Sequence, residues 1–210
     1  MKTKIVLPIT LILLLCGVVL VSAWTIEYGT TINKGWNLVY AFIEPGQIQG
    51  IELSNIKAIY GFMPTTQEYV RFYPNPEMDK INRMDGDQFR NTAFWVYSDA
   101  ETGKEFNGIY NAVEYWIAEE PIPYNERQIY KGWNFIGITS DMIPKSFEEI
   151  KGNCDIERSH IWISSEKEWA DFPEMFYPSM IGKGFIIKVT SDCKLGTSGS
   201  SNINPPQIPN

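Results

Sequence analysis

Histidine is almost missing from this chain: His160 is the only one in 210 residues. Cysteine is scarce too, limited to Cys16, Cys154 and Cys193. Two or three cysteines and one histidine do not complete a tetrahedral metal set without carboxylate help, so neither a metal centre nor a cofactor is expected. A Ser-His-Asp arrangement around His160 is formally available, but the chain has no GxSxG segment and nothing marks one serine as an activated nucleophile. Lysine and arginine are outnumbered 18 to 25 by aspartate and glutamate, and they form no cluster. An acidic chain without a basic patch does not neutralise phosphates, which argues against nucleic acid and anionic lipid surfaces as partners. Long hydrophobic runs are confined to one place, the beginning.

That run spans residues 5–21, follows Lys2 and Lys4, and ends in Val21-Ser22-Ala23. A basic start, an apolar stretch and small residues read as an export signal covering residues 1–23, cleaved after Ala23. The alternative is an uncleaved anchor, the one route by which a membrane becomes a partner. The stretch lies near the lower length limit for crossing a bilayer. Lys2 and Lys4 leave with the signal, so the net charge moves from −7 to −9. A secreted or cell-surface location is expected. In that oxidising setting the two remaining cysteines, Cys154 and Cys193, are expected to form a disulfide rather than stay as free thiols.

What the sequence does have is a repeated tetrapeptide. Lys34-Gly35-Trp36-Asn37 recurs as Lys131-Gly132-Trp133-Asn134, each copy entering an apolar run, and the Trp-to-Trp period is about 97 residues. The flanking segments follow the same order in both halves. A strand-like AIYGF and EYVRFY in the first correspond to HIWISS and KEWADF in the second, with Trp162 for Tyr60 and Trp169 for Tyr69. The closing strands TAFWVYS and GKGFIIKVTSD can be aligned through AF/GF or through their shared Ser-Asp, two residues apart but with the same facing parity. The segment KSFEEIKGN reads as a short helix that Gly152 stops. The expected fold is therefore mainly β with short helices, in two tandem homologous small β domains. Residues 24–117 form the first repeat. Residues 118–195 form the second, with its leading strand from about 126. Residues 196–210, rich in Gly, Ser, Asn and Pro, form a disordered tail.

Gly35 and Gly132 suit a tight turn at positive φ. Trp36 and Trp133 are expected to be buried by the strands that follow, and Asn37 and Asn134 to hydrogen-bond local backbone. The residues KGWNLV with AFWV, and KGWNFI with GKGFII, resemble the GWN-type β repeats of bacterial and archaeal secreted and cell-surface proteins. The resemblance spans most of the chain after the signal. It departs from the pattern where Arg90-Asn91-Thr92-Ala93 replaces the closing glycines. It implies a non-catalytic structural, adhesion or ligand-binding role and carries over no catalytic residues.

Other candidate chemistry is thin. Glu119-Glu120, Glu148-Glu149 and Glu166/Glu168 offer carboxylate pairs for a glycosidase-like hydrolase, the alternative function. Adjacent acids on a strand point to opposite faces, so the first pair fits poorly. Asp79, Asn82, Asp85 and Asp87 form an oxygen-rich loop that calcium tolerates, but the spacing does not match an EF-hand. The aromatic load says more. Seven Trp, 11 Tyr and 11 Phe exceed what a small core needs. Trp116, Trp169, Tyr73 and Tyr177 are expected to be exposed and to contact a glycan or another surface protein; the alternative is that such rings pack between the repeats.

Overall fold

The computed structural model describes residues 32–40, 55–101 and 122–197. The expected export signal, Cys16, Trp116, Glu119-Glu120 and the tail beyond residue 197 lie outside the described residues.

The fold is mainly β. Strands β1 (Gly35–Val39), β2 (Ile56–Met63), β3 (Glu68–Tyr73) and β4 (Phe94–Ser98) form an antiparallel sheet in the order β1-β4-β2-β3. After a two-residue strand β5 (Gln128–Ile129) come β6 (Gly132–Gly137), β7 (Ile156–Ile163), β8 (Glu168–Asp171) and β9 (Gly184–Val189). Their sheet has the corresponding order β6-β9-β7-β8. A final short strand, β10 (Cys193–Lys194), pairs with β5. Helices α1 (Met78–Ile81) and α2 (Gly86–Asn91) connect β3 to β4, and α3 (Phe147–Lys151) connects β6 to β7.

The two sheets agree in detail. Ile56 and Ile156 each precede a bulge that shifts the register before Ala58 and Arg158. Trp36 lies opposite Tyr97, and Trp133 opposite Lys188. Phe94 and Phe185 are therefore equivalent, which selects the AF/GF alignment of the closing strands. One expected equivalence is corrected. Trp162 pairs with Trp169 as Phe62 pairs with Tyr69, so Trp162 corresponds to Phe62, and His160 corresponds to Tyr60. The turn and bulge spacing fixes this register, whereas matching by ring type does not.

The KGWN motif is a local device. Gly35 and Gly132 take φ of 105° and 95°, conformations that favour glycine. The buried Asn37 amide accepts from the Asn33 N–H at 2.8 Å and donates to the carbonyls of Asn33 at 2.8 Å and Gly35 at 3.0 Å. Asn134 does the same with Tyr130 (2.9 and 2.6 Å) and Gly132 (3.1 Å). Each amide thus completes backbone groups that a sharp strand entry leaves without ladder partners.

Side-chain alternation gives each sheet a core face. Val39, Ile59, Val70, Phe72, Phe94 and Val96 pack with Ile81 of α1 and Phe89 of α2. Ile136, Ile161, Phe185 and Ile187 pack with Ile150 of α3 and Phe176. Full burial of each such side chain stabilises by about 1.5–3 kcal/mol. Helix α3 begins with a capping box between Ser146 and Glu149, and Gly152 ends it at φ 55°. Cys154, just beyond, is disulfide-bonded to Cys193 with 5.5 Å between Cα atoms. The bond closes a 39-residue separation, worth about 4 kcal/mol in the chain-entropy view.

The opposite faces of the sheets meet each other. Leu38, Phe62, Ala93, Phe135 and Ile186 form a third buried cluster, joined by the half-buried Trp95, Trp133 and Trp162. Small residues allow the approach. A Cβ at Gly137 would overlap the Tyr40 ring, and one at Gly184 would overlap Ala93. Tyr40 N–H donates to the Gly182 carbonyl at 2.8 Å, and Ala93 N–H to that of Phe135 at 3.2 Å. The fully buried Arg127 closes this junction. It donates to the carbonyls of Ile122 (2.9 Å) and Gly137 (2.6 Å) and to Thr139 Oγ1 (2.6 Å), with its guanidinium 6.0 Å from the Tyr40 ring centre.

Candidate functional site

The contact between the sheets follows an approximate two-fold rule. Each β-hairpin turn reaches the KGWN strand of the other repeat. Gln67, in the β2–β3 turn, accepts from the Trp133 N–H at 2.8 Å and donates back to the Trp133 carbonyl at 3.1 Å. On the other side, Trp162 Nε1 donates to the Trp36 carbonyl at 2.8 Å, and Asn33 Nδ2 donates to Ser164 Oγ at 2.7 Å. Both KGWN strands lie at sheet edges, so these contacts also occupy backbone groups that an edge leaves open.

The aromatic contents of the two halves differ. On one side Phe135 stacks on Phe62 at 4.6 Å and meets Tyr69 edge-on at 5.8 Å, so the rings pack directly on one another. On the other side lies an open cleft of about 480 Å³ lined by Trp36, Tyr60, Tyr69, Trp95, Trp162 and Trp169. Trp95 is its hub. It stands 5.2 Å from Trp162, 5.6 Å from Trp169 and 6.1 Å from Trp36, edge-on to all three at 78–81°. Trp162 and Trp169 are themselves 5.4 Å apart at 73°. Strand alternation explains the set. Trp36, Tyr60, Tyr69 and Trp95 occupy the face of the first sheet opposite its core, and Trp162 and Trp169 the corresponding face of the second.

Several expected site residues fall elsewhere. Trp169, expected to be exposed, lines the cleft and is 41% exposed. Tyr177 is 54% exposed but sits before the short turn Pro178–Met180, outside the cleft lining. Tyr73 is corrected: it is half-buried against the first core. The register shift at Ile59/Tyr60 carries the end of β3 over the core edge there. Trp36 is corrected in the other direction. Expected in the core, it is 38% exposed, because the buried position of the motif belongs to the neighbouring Asn37. Trp133 is half-buried against the inter-sheet cluster. Trp95 and Tyr60 were not singled out from the sequence. The alternation FWVYS, with Phe94, Val96 and Ser98 buried, was the signal that placed Trp95 on the outer face.

Several titratable candidates are spent on structure. Asp85 caps α2 by accepting from the Gln88 N–H at 2.9 Å, and Asp87 pairs with Arg90 at 3.4 Å. Among the described residues, no three His, Cys, Asp or Glu side chains gather as a metal set. Glu148 pairs with Lys151 at 2.7 Å. Glu149 accepts from the Ser146 N–H at 2.8 Å, the main reason its carboxyl is held below the usual range. In the first repeat Glu77 is lowered chiefly by the Arg71 N–H at 2.7 Å. His160 lies 3.7 Å from Asp171 and 6.3 Å from the Trp169 ring, and among the described residues no hydrogen bond joins it to a serine. Compared with known proteins, the chain matches no family model, no curated protein and no solved structure.

Proposed function

We propose that this is a non-catalytic, extracytoplasmic binding protein of the GWN-repeat type, and that the six-ring cleft is its ligand site. One observation carries the reading: the cleft lining is aromatic throughout and supplies neither a carboxylate pair nor an imidazole to run a reaction. A hydrolase needs two acids facing each other across a cleft. Here Glu148 and Glu149 serve α3, and Glu168 alternates to the opposite side of β8 from Trp169. The cleft volume falls in the range of small-ligand sites, about 300–1,000 Å³. A solvent-accessible aromatic concavity of this kind marks a contact surface. The disulfide supports an oxidising compartment, and among the described residues no helix is long and apolar enough to cross a membrane.

Two ligand chemistries lie flat on such rings, the C–H face of a sugar and a methylated cation. The test is intrinsic tryptophan fluorescence of the full chain titrated with panels of oligosaccharides and small amines. Saturable quenching that Trp169→Ala weakens and Tyr177→Ala leaves alone is expected. Absence of saturable binding in both panels, together with turnover of a glycoside substrate, would instead favour the hydrolase.

A further inference from the structure

We infer that the cleft takes a quaternary or fully methylated ammonium group in preference to a neutral sugar; this rests on its being a ligand site at all. Three features lead to that choice. First, the rings do not form one platform. Trp95 stands at 78–81° to Trp36, Trp162 and Trp169, so no two of these pairs present one continuous plane to a pyranose ring. A compact cation needs no continuous plane, since a single π face attracts its charge. Second, the lining is poor in hydrogen-bonding groups. Beyond two tyrosine hydroxyls it offers only indole N–H donors, and Trp162 Nε1 is already committed to the Trp36 carbonyl. A sugar entering the cleft would leave desolvated hydroxyls unpaired, whereas a tetraalkylammonium head brings no such group.

Third, the overall charge favours a cation. The chain is acidic overall, with a formal net charge of −7. Near the cleft the charges are mixed: Asp171, two residues beyond Trp169 on β8, has a fully exposed carboxylate beside His160, and Lys167 of the same hairpin lies against Gly35, next to Trp36. At the position equivalent to Asp171 in the first repeat, Arg71 turns its Nε to the Asn75 carbonyl at 3.1 Å.

Calorimetric titration of the full chain tests this with four probes: choline, tetramethylammonium, the neutral choline isostere 3,3-dimethyl-1-butanol, and cellobiose. The two cations bind saturably and the isostere binds about tenfold more weakly or worse. Trp95→Ile reduces cation affinity by about tenfold or more, and the exposed Trp169→Leu, which spares the fold, by several-fold. An isostere as tight as choline would show an apolar cleft and overturn the cation preference while leaving the binding function standing. Cellobiose binding without choline binding would do the same in favour of a glycan. Failure of every probe overturns the cation site, and the wider panels above then decide the binding function.

Discussion

The first and second repeats share strand order, bulge position and the Asn clamp, yet they differ in how they are secured and in what they present. The first is closed by two short helices and has no cysteine among its described residues. The second is stapled by Cys154–Cys193. On the facing surfaces, Trp95 corresponds to Ile186, Tyr97 to Lys188 and Tyr60 to His160. The shared features are those that make a strand enter and a sheet close. The unshared ones leave one half of a nearly two-fold interface open and aromatic. The corresponding strands supply the frame, and the residues that differ on one face supply the cleft.

The largest expected effect separates the repeats by their fastening. Replacing both Cys154 and Cys193 by alanine should cost about 4 kcal/mol, concentrated in the second repeat. Hydrogen exchange should show amides of β6–β9 losing protection before those of β1–β4. Uniform loss across both sheets would mean that the inter-sheet cluster makes them one cooperative unit. Next come the clamps. Asn37→Ala and Asn134→Ala should each cost about 1–3 kcal/mol in denaturant melts, since each leaves buried backbone groups unpaired. Clearly unequal costs would break the equivalence of the two motifs.

Exchanging a divergent position should cost less. Trp95→Ile, which gives the first repeat the residue of the second, is expected to lower stability by about 1–2 kcal/mol while weakening ligand binding about tenfold or more. The smallest effect lies in acid. Glu77 and Glu149 are held below the ordinary glutamate value of 4.5, each by a backbone N–H. Their contribution is present above that value and is lost as pH falls through the lowered folded-state value. Glu77→Gln and Glu149→Gln should therefore flatten the stability profile below about pH 4.5 and leave its slope near neutrality unchanged.

Much of the frame was legible in sequence because its causes are local. A glycine at positive φ, an Asn two residues on, a capping box and alternating strands all act within a few residues. The cysteine pair was legible because only two remained to be matched. The cleft was not, for three physical reasons. Whether Trp36 or Asn37 turns inward depends on which face the strand buries, and both are plausible interior residues in the KGWN context. The role of Trp95 depends on Trp162 and Trp169, about 70 residues away in sequence, meeting it from the second sheet. The substitution of His160 for Tyr60 is visible only when the bulge fixes the register. Counting aromatics signalled a surplus of rings, and only pairing the strands located it.

The most direct test follows the seven indole N–H resonances of ¹⁵N-labelled protein during a choline titration. Shifts should concentrate on Trp36, Trp95 and Trp169, while Trp133, the partner of Trp36 in the other half of the interface, stays nearly fixed. Equal movement of Trp133, or saturable binding that leaves Trp95 and Trp169 unmoved, would contradict an asymmetric cleft as the binding site.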